Sequence, residues 1–72
     1  MRNIVIDIGN TRTKLGVFEQ GKLIARYDEW SEQALNAMGI TAEDRIVVSS
    51  VGQGLEEVRA LLAKHKGYLE FN

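Results

Sequence analysis

The segment Ile4-Val5-Ile6-Asp7-Ile8-Gly9-Asn10 constrains this chain more than any other stretch. Apolar β-branched residues fit a pleated strand, so residues 3–8 are predicted as one. An acid within such a strand is costly to desolvate unless a cation or hydrogen-bond donors receive it. Gly9 and Asn10 then mark a turn. Ile46-Val47-Val48 repeats the apolar run further along and ends in Ser49-Ser50-Val51-Gly52. Continuous rather than alternating apolar runs suit strands buried on both faces.

The segments between these runs fix a topology. Leu15, Val17 and Phe18 predict a second strand over 13–19, and Glu19-Gln20-Gly21-Lys22 a hairpin turn. Leu23, Ile24, Ala25, Tyr27 and Trp30 predict a third strand over 22–30, so the first three strands form an antiparallel meander. Ser31 is an N-cap candidate for a short helix with Ala34, Leu35, Ala37 and Met38 as its apolar stripe and Gly39 after its end. Leu55, Val58, Leu61, Leu62 and His65 recur at helical spacing. Glu56 and Glu57 in the first turn and Lys64, His65 and Lys66 in the last complement the helix dipole, and Gly67 is the expected stop. Tyr68-Leu69-Glu70-Phe71 predicts a fifth strand. The order is β-β-β-α-β-α-β. Right-handed crossovers then place strand four beside strand one and strand five beyond it. The expected fold class is α/β, a ribonuclease-H-like (actin-like ATPase) core with a mixed five-stranded sheet of order 3-2-1-4-5. Both helices must lie on one face, so a further part of the protein or a second copy is expected on the other; the alternative is that a few β-branched residues there simply stay exposed, as in many small proteins.

Size and composition narrow the functional classes. The chain has 72 residues and is one domain at most, residues 1–72. A domain of this size buries only about 60% of the surface its unfolded chain exposes. With no cysteine it has neither disulfides nor thiolate metal sites, and its single histidine cannot build a zinc cluster. The net charge of −1 lacks the basic footprint of a nucleic-acid binder. No apolar run reaches the roughly 18 residues of a membrane span. The first residues do not read as a signal peptide, and a cytoplasmic location is expected.

The residues around Asp7 carry the chemistry. Asp7 is followed by Gly9-Asn10-Thr11-Arg12-Thr13-Lys14. Glycine lets backbone approach a ligand closely, and amides of a turn can form an anion-binding nest. Asn10, Thr11 and Thr13 add donors; Arg12 and Lys14 add positive charge. A carboxylate for a metal beside small donors for phosphate oxygens is what a nucleotide phosphate site requires. The same residues also suit a hairpin turn whose aspartate caps its own amides. In the expected topology Asp7 and Ser49-Ser50 lie at the carboxyl ends of adjacent parallel strands, where ligands of open α/β sheets bind. Gly52 and Gly54 precede the second helix, whose N-terminus attracts anions; Ser49 and Ser50 also fit a plain helix entry. His65, Tyr27, Trp30, Lys64 and Lys66 are read as packing or solvated residues.

The string from Ile4 to Lys14 resembles the N-terminal phosphate motif of type III pantothenate kinases, within the acetate kinase/sugar kinase/Hsp70/actin superfamily. Val48-Ser49-Ser50-Val51 resembles that family's Ser-Ser-Val segment at the end of its fourth strand. The resemblance spans nearly the whole chain. It implies ATP-dependent phosphorylation of pantothenate, the first step of coenzyme A synthesis, with Mg²⁺ and a monovalent cation (K⁺ or NH₄⁺) and a homodimer. It assigns Asp7 to the phosphate and metal site and Gly9, Asn10 and Thr11 to the triphosphate loop, with Ser49 and Ser50 lining the same cleft. Arg12, Thr13 and Lys14 complete the expected nucleotide-binding set.

The departure from the family is equally informative. The family's catalytic aspartate lies in a Gly-x-Asp-Arg segment of a second part, and no such segment occurs here. The expectation is therefore an N-terminal domain of a longer two-domain kinase, holding half of a phosphate clamp and no catalytic base of its own. Two other classes share the pattern. A ribonuclease-H-like nuclease or Holliday-junction resolvase needs several converging carboxylates. Strand four offers only serines, and Asp28 and Glu29 are expected at the far end of the meander. A non-catalytic self-associating module would use the open sheet face or the strand Tyr68–Phe71 as an edge.

Overall fold

The computed structural model describes residues 2–10, 12–50 and 54–71. Its elements are β1 (Arg2–Ile8), β2 (Thr13–Glu19), β3 (Lys22–Tyr27), α1 (Glu32–Met38), β4 (Arg45–Ser50), α2 (Leu55–Leu62) and β5 (Tyr68–Phe71). They form an α/β structure with one mixed sheet of order β3-β2-β1-β4-β5, as expected. β1 pairs antiparallel with β2 and parallel with β4. β2 and β3 are antiparallel, with a register shift between Val17 and Phe18, and β4 and β5 are parallel.

Side chains alternate between the faces of a strand. Ile4, Ile6 and Ile8 therefore share one face with Leu15, Val17, Ile46 and Val48, and all seven are buried. Met38 of α1 and Val58 and Leu62 of α2 close over them in the same core. Both helices thus lie on this face. On the opposite face Val5 and Val47 are only half-buried, and Leu23, Leu69 and Phe71 are 52%, 54% and 57% exposed. The apolar runs are continuous in sequence, but the structure buries only alternate members of each.

Local signals explain the element ends. Ser31 Oγ accepts the Ala34 N–H at 3.0 Å, capping α1, and the Gly39 N–H donates to the Asn36 carbonyl at its end. The hairpin turn puts Gln20 and Gly21 at positive φ, as a tight two-residue connection requires. Two expected boundaries are corrected. β3 stops at Tyr27, paired with Leu15, because the chain must then leave the sheet to reach Ser31. α2 ends at Leu62, so Lys64, His65 and Lys66 lie beyond it rather than in its last turn. The His65 N–H tightens that exit by donating to the Leu62 carbonyl at 2.9 Å. Gly67 does not stop the helix; its backbone passes so close to β4 that a Cβ there would lie 2.7 Å from the Asp44 carbonyl oxygen.

A polar clasp, unforeseen in the sequence, ties these ends together at the amino end of β1. Asp44 is 4% exposed and receives Arg2 Nε at 3.1 Å and Arg2 Nη2 at 2.6 Å. Arg2 also donates to the carbonyls of Met38 and Gly39, left open by the end of α1. The Thr41 N–H reaches the same carboxylate at 2.9 Å. The His65 ring continues the clasp. The Gly67 N–H donates to Nδ1 at 3.0 Å, which leaves Nε2 as the donor to the Thr41 carbonyl at 2.8 Å.

Two carboxylates link this architecture to pH. Hydrogen bonding by Arg2 holds Asp44 below its ordinary value. Glu70 is held down at about 2, first by Arg59 and then by the Tyr68 hydroxyl. A carboxylate depressed in the folded state contributes stability that is complete above its unfolded pKa and lost as pH falls through the folded one. Thermal melts at decreasing pH are therefore expected to lose stability below pH 4.5, the ordinary value of Glu70, with the loss continuing towards pH 2. A melting temperature that stays flat across this window would contradict the assignment. No helix among the described residues is long and apolar enough to cross a membrane.

Candidate functional site

The parallel pairing of β1 and β4 sets their carboxyl ends side by side. Asp7 is in register with Ser49 on one flank and Lys14 on the other, and Ile8 with Ser50 and Thr13. By alternation Asp7, Lys14 and Ser49 stand on the open face, and Ser50 and Thr13 on the helix-covered one. The expected serine pair is therefore divided: Ser49 is beside Asp7, and Ser50 is directed to the other side. Asp7 is exposed, not desolvated within the strand, so it requires no buried counter-charge.

Between β1 and β2 the chain reverses tightly, the Gly9 N–H donating to the Arg12 carbonyl at 2.8 Å. A Cβ on Gly9 would sit 3.3 Å from that oxygen, so the turn has little room for a side chain. Thr11 lies outside the described residues, as do Val51 and Gly52.

Two concavities flank this turn. One, of about 360 Å³, is lined by Asp7, Gly9, Arg12 and Lys14. The other, of about 530 Å³, has Gly9, Asn10, Arg12 and Thr13 on one wall and Asp28, Glu29, Trp30, Gly54 and Glu57 on the other. Sequence reasoning singled out Gly54 but missed the rest of that second wall. β3 is antiparallel to β2, which is antiparallel to β1, so β3 ends where β1 ends. Asp28, Glu29 and Trp30 consequently lie at the carboxyl ends of the central strands, not at the far end of the meander. The topological argument applied to strands one and four would have found them.

The charges of the two hollows differ. The smaller offers two cations against one carboxylate. The larger offers Arg12 against three carboxylates, and the first turn of α2 contributes Glu57 to it. Gly54, the N-cap of α2, lies 3.7 Å from Ile8 as measured from its ideal Cβ, so the helix starts over the end of β1. Glu56 and Glu57 occupy its first turn and complement the positive end of the dipole themselves. Electrostatics therefore favours an anion on the Asp7–Lys14 side of the turn. Among the described residues, no group of three or more acidic or histidine side chains lies close enough to hold a metal ion. A lone Asp7 still suits Mg²⁺, which is commonly held by one or two carboxylates together with substrate phosphates.

These features define an α/β domain with its candidate site at the carboxyl ends of two parallel central strands, the place where open α/β sheets bind ligands. The model of the type III pantothenate kinase family matches residues 3–70. The chain belongs to that family, a family of phosphotransferases of coenzyme A biosynthesis. Comparison with curated proteins and with solved structures gave no match.

Proposed function

We propose that this chain is the phosphate-binding domain of an ATP-dependent pantothenate kinase. The observation that carries the reading is the hollow lined by Asp7, Gly9, Arg12 and Lys14, a cation-rich turn with one carboxylate at its edge. Arg12 and Lys14 would neutralise phosphate oxygens, Gly9 would let the backbone approach them, and Asn10, Thr11 and Thr13 would supply donors. Asp7 would hold Mg²⁺, which when bound offsets charge on the polyphosphate. Ser49 would line the site beside Asp7. Ser50, on the other face, is the weakest of the expected members.

The strand order and the uniform placement of both helices support a ribonuclease-H-like, actin-like ATPase core. Phosphoryl transfer proceeds by positioning and charge stabilisation from both sides of a cleft. The residues seen here supply one side. The reading therefore places the catalytic aspartate, most of the pantothenate pocket and the monovalent cation site on a second domain of the same protein, acting in a cytoplasmic homodimer.

Two measurements on the 72-residue chain test this. Titration with Mg²⁺–ATP, followed by amide chemical shifts, should perturb Gly9 to Lys14, and Asp7→Asn should weaken the response by about tenfold, the equivalent of roughly 1.4 kcal/mol. ADP release dependent on pantothenate should be absent. Shifts elsewhere only, an unaffected Asp7→Asn protein, or measurable turnover by this chain would each refute the proposal.

A further inference from the structure

The two hollows beside the turn share part of their lining. Gly9 and Arg12 belong to both. The donors of the turn therefore do not by themselves decide on which side of it a phosphate chain lies. Asp7 lines the smaller hollow and not the larger, so a chain on the wrong side would lie away from the carboxylate assigned to Mg²⁺. The walls, which differ in charge, separate the two placements. Asp7, Arg12 and Lys14 bring the charges of the smaller hollow; Arg12, Asp28, Glu29 and Glu57 bring those of the larger.

The three acids of the larger hollow are not equivalent. Arg26 approaches Asp28 at 3.4 Å and offsets part of its charge. The ion pairs among the described residues are Arg2–Asp44, Arg26–Asp28 and Arg59–Glu70, so Glu29 and Glu57 have no such partner there. They come from different elements: Glu29 follows the end of β3, and Glu57 is in the first turn of α2. Glu57 stands at the positive end of the helix dipole, where an anion would otherwise be attracted. A phosphate entering this hollow would meet two unpaired carboxylates, with Arg12 as the one cation among the described lining residues. Like charges brought together cost affinity, and repulsion built against one placement confers specificity just as attraction to the other does.

We propose that Glu29 and Glu57 are specificity-determining residues that keep polyphosphate out of the larger hollow and confine it to the Asp7–Lys14 side of the turn. The inference rests on the reading of the turn as a nucleotide phosphate site. The two carboxylates leave Arg12 open to phosphate from one direction only, the one in which the chain also meets Asp7 and Lys14. They do so at the expense of overall affinity, because their field opposes any polyanion at the turn.

The test titrates the 72-residue chain and its variants with Mg²⁺–ATP at low salt. It follows the amides from Gly9 to Lys14 and the indole N–H of Trp30, which lines the larger hollow and not the smaller. In the parent the turn should respond and the Trp30 indole should not. Glu29→Gln and Glu57→Gln should each bind about twofold more tightly and the double variant about fourfold, the size of exposed charge–charge interactions, with the Trp30 indole now shifting. Both residues are exposed, so the variants keep the fold. The gain should shrink as salt rises from about 0.01 to about 0.1 M, because the Debye length falls from about 30 to about 10 Å. Glu56→Gln removes a charge from the same turn of α2 outside the hollow and should leave the Trp30 indole unmoved. A carboxylate that only supported the fold would weaken binding when replaced, so a gain is the diagnostic sign. A double variant that binds no more tightly than the parent, a gain indifferent to salt, or a Trp30 shift already present in the parent would overturn the proposal. If the Gly9–Lys14 amides of the parent stay unmoved, the phosphate reading and this inference fall together; if they respond but the variants show no gain, this inference falls alone.

Discussion

Replacing Asp44 by alanine is expected to remove a large share of the domain's stability. The carboxylate is buried and answers Arg2 through two hydrogen bonds and the Thr41 amide through a third. Removing it leaves the Arg2 guanidinium without its counter-ion; breaking a buried ion pair typically costs about 3–5 kcal/mol, and the 24% exposure of the Arg2 side chain puts this one at the lower end. A chain of this length commands only about 4–11 kcal/mol in total at the usual stability per residue. The loss falls on three element ends at once, because Arg2 begins β1, holds the last carbonyls of α1 and pairs with the residue before β4. Urea denaturation of the two proteins measures it, with the midpoint of Asp44→Ala expected to fall far below that of the parent. A midpoint shift worth less than about 1 kcal/mol would show that Asp44 behaves as a surface residue. Arg2→Met, which leaves Asp44 as the unpaired partner, should lose a comparable amount, while the double variant should lose less than the sum, as residues in one network do.

Gly67→Ala is expected to cause the second largest loss, and for a different reason. The added methyl group would lie 2.7 Å from the Asp44 carbonyl oxygen and 3.2 Å from the Arg45 Cα, both backbone atoms that cannot rotate away. The Gly67 carbonyl accepts the Ile46 N–H at 3.0 Å and its own N–H donates to His65, so any retreat of residue 67 strains the entry of β5 and the clasp together. Overpacking of this kind costs about 1–3 kcal/mol. The same substitution at Gly21 meets no atom within 4 Å, although its φ of +78° carries a strain of its own. Thermal melts of the two variants separate contact from conformation. If Gly67→Ala melts with the parent protein, the close approach does not limit this position.

Acid titration and nucleotide titration examine different parts of the molecule. Acid acts on Asp44 and Glu70, and nucleotide on the turn after β1. A failure of one therefore leaves the other standing.

The path from sequence to site was uneven. Ser31 and Gly39 announced α1, because capping is a local hydrogen-bonding event between residues three apart. Strand β5 and the hairpin at Gln20-Gly21 were equally local. The sheet order followed from connection lengths and the handedness of crossovers. Asp7 and the Gly9 turn stood out as polar residues at the end of an apolar run. The acidic wall did not: Asp28, Glu29 and Glu57 come from three elements' ends and meet only across the fold. The clasp was hidden for the same reason, since Arg2 and Asp44 are 42 residues apart.

The succession of strands and helices, the strand order and the residues that close the turn beyond β1 are legible along the chain itself. These depend on chirality, backbone preference and neighbours a few positions away. It took the packing of distant segments to place Asp7 in solvent, to part Ser49 and Ser50 to opposite faces, to make one side of the turn cationic and the other acidic, and to require a glycine where two backbones pass. Those properties are set by distances between residues remote in the chain, and no local pattern encodes a distance of that kind.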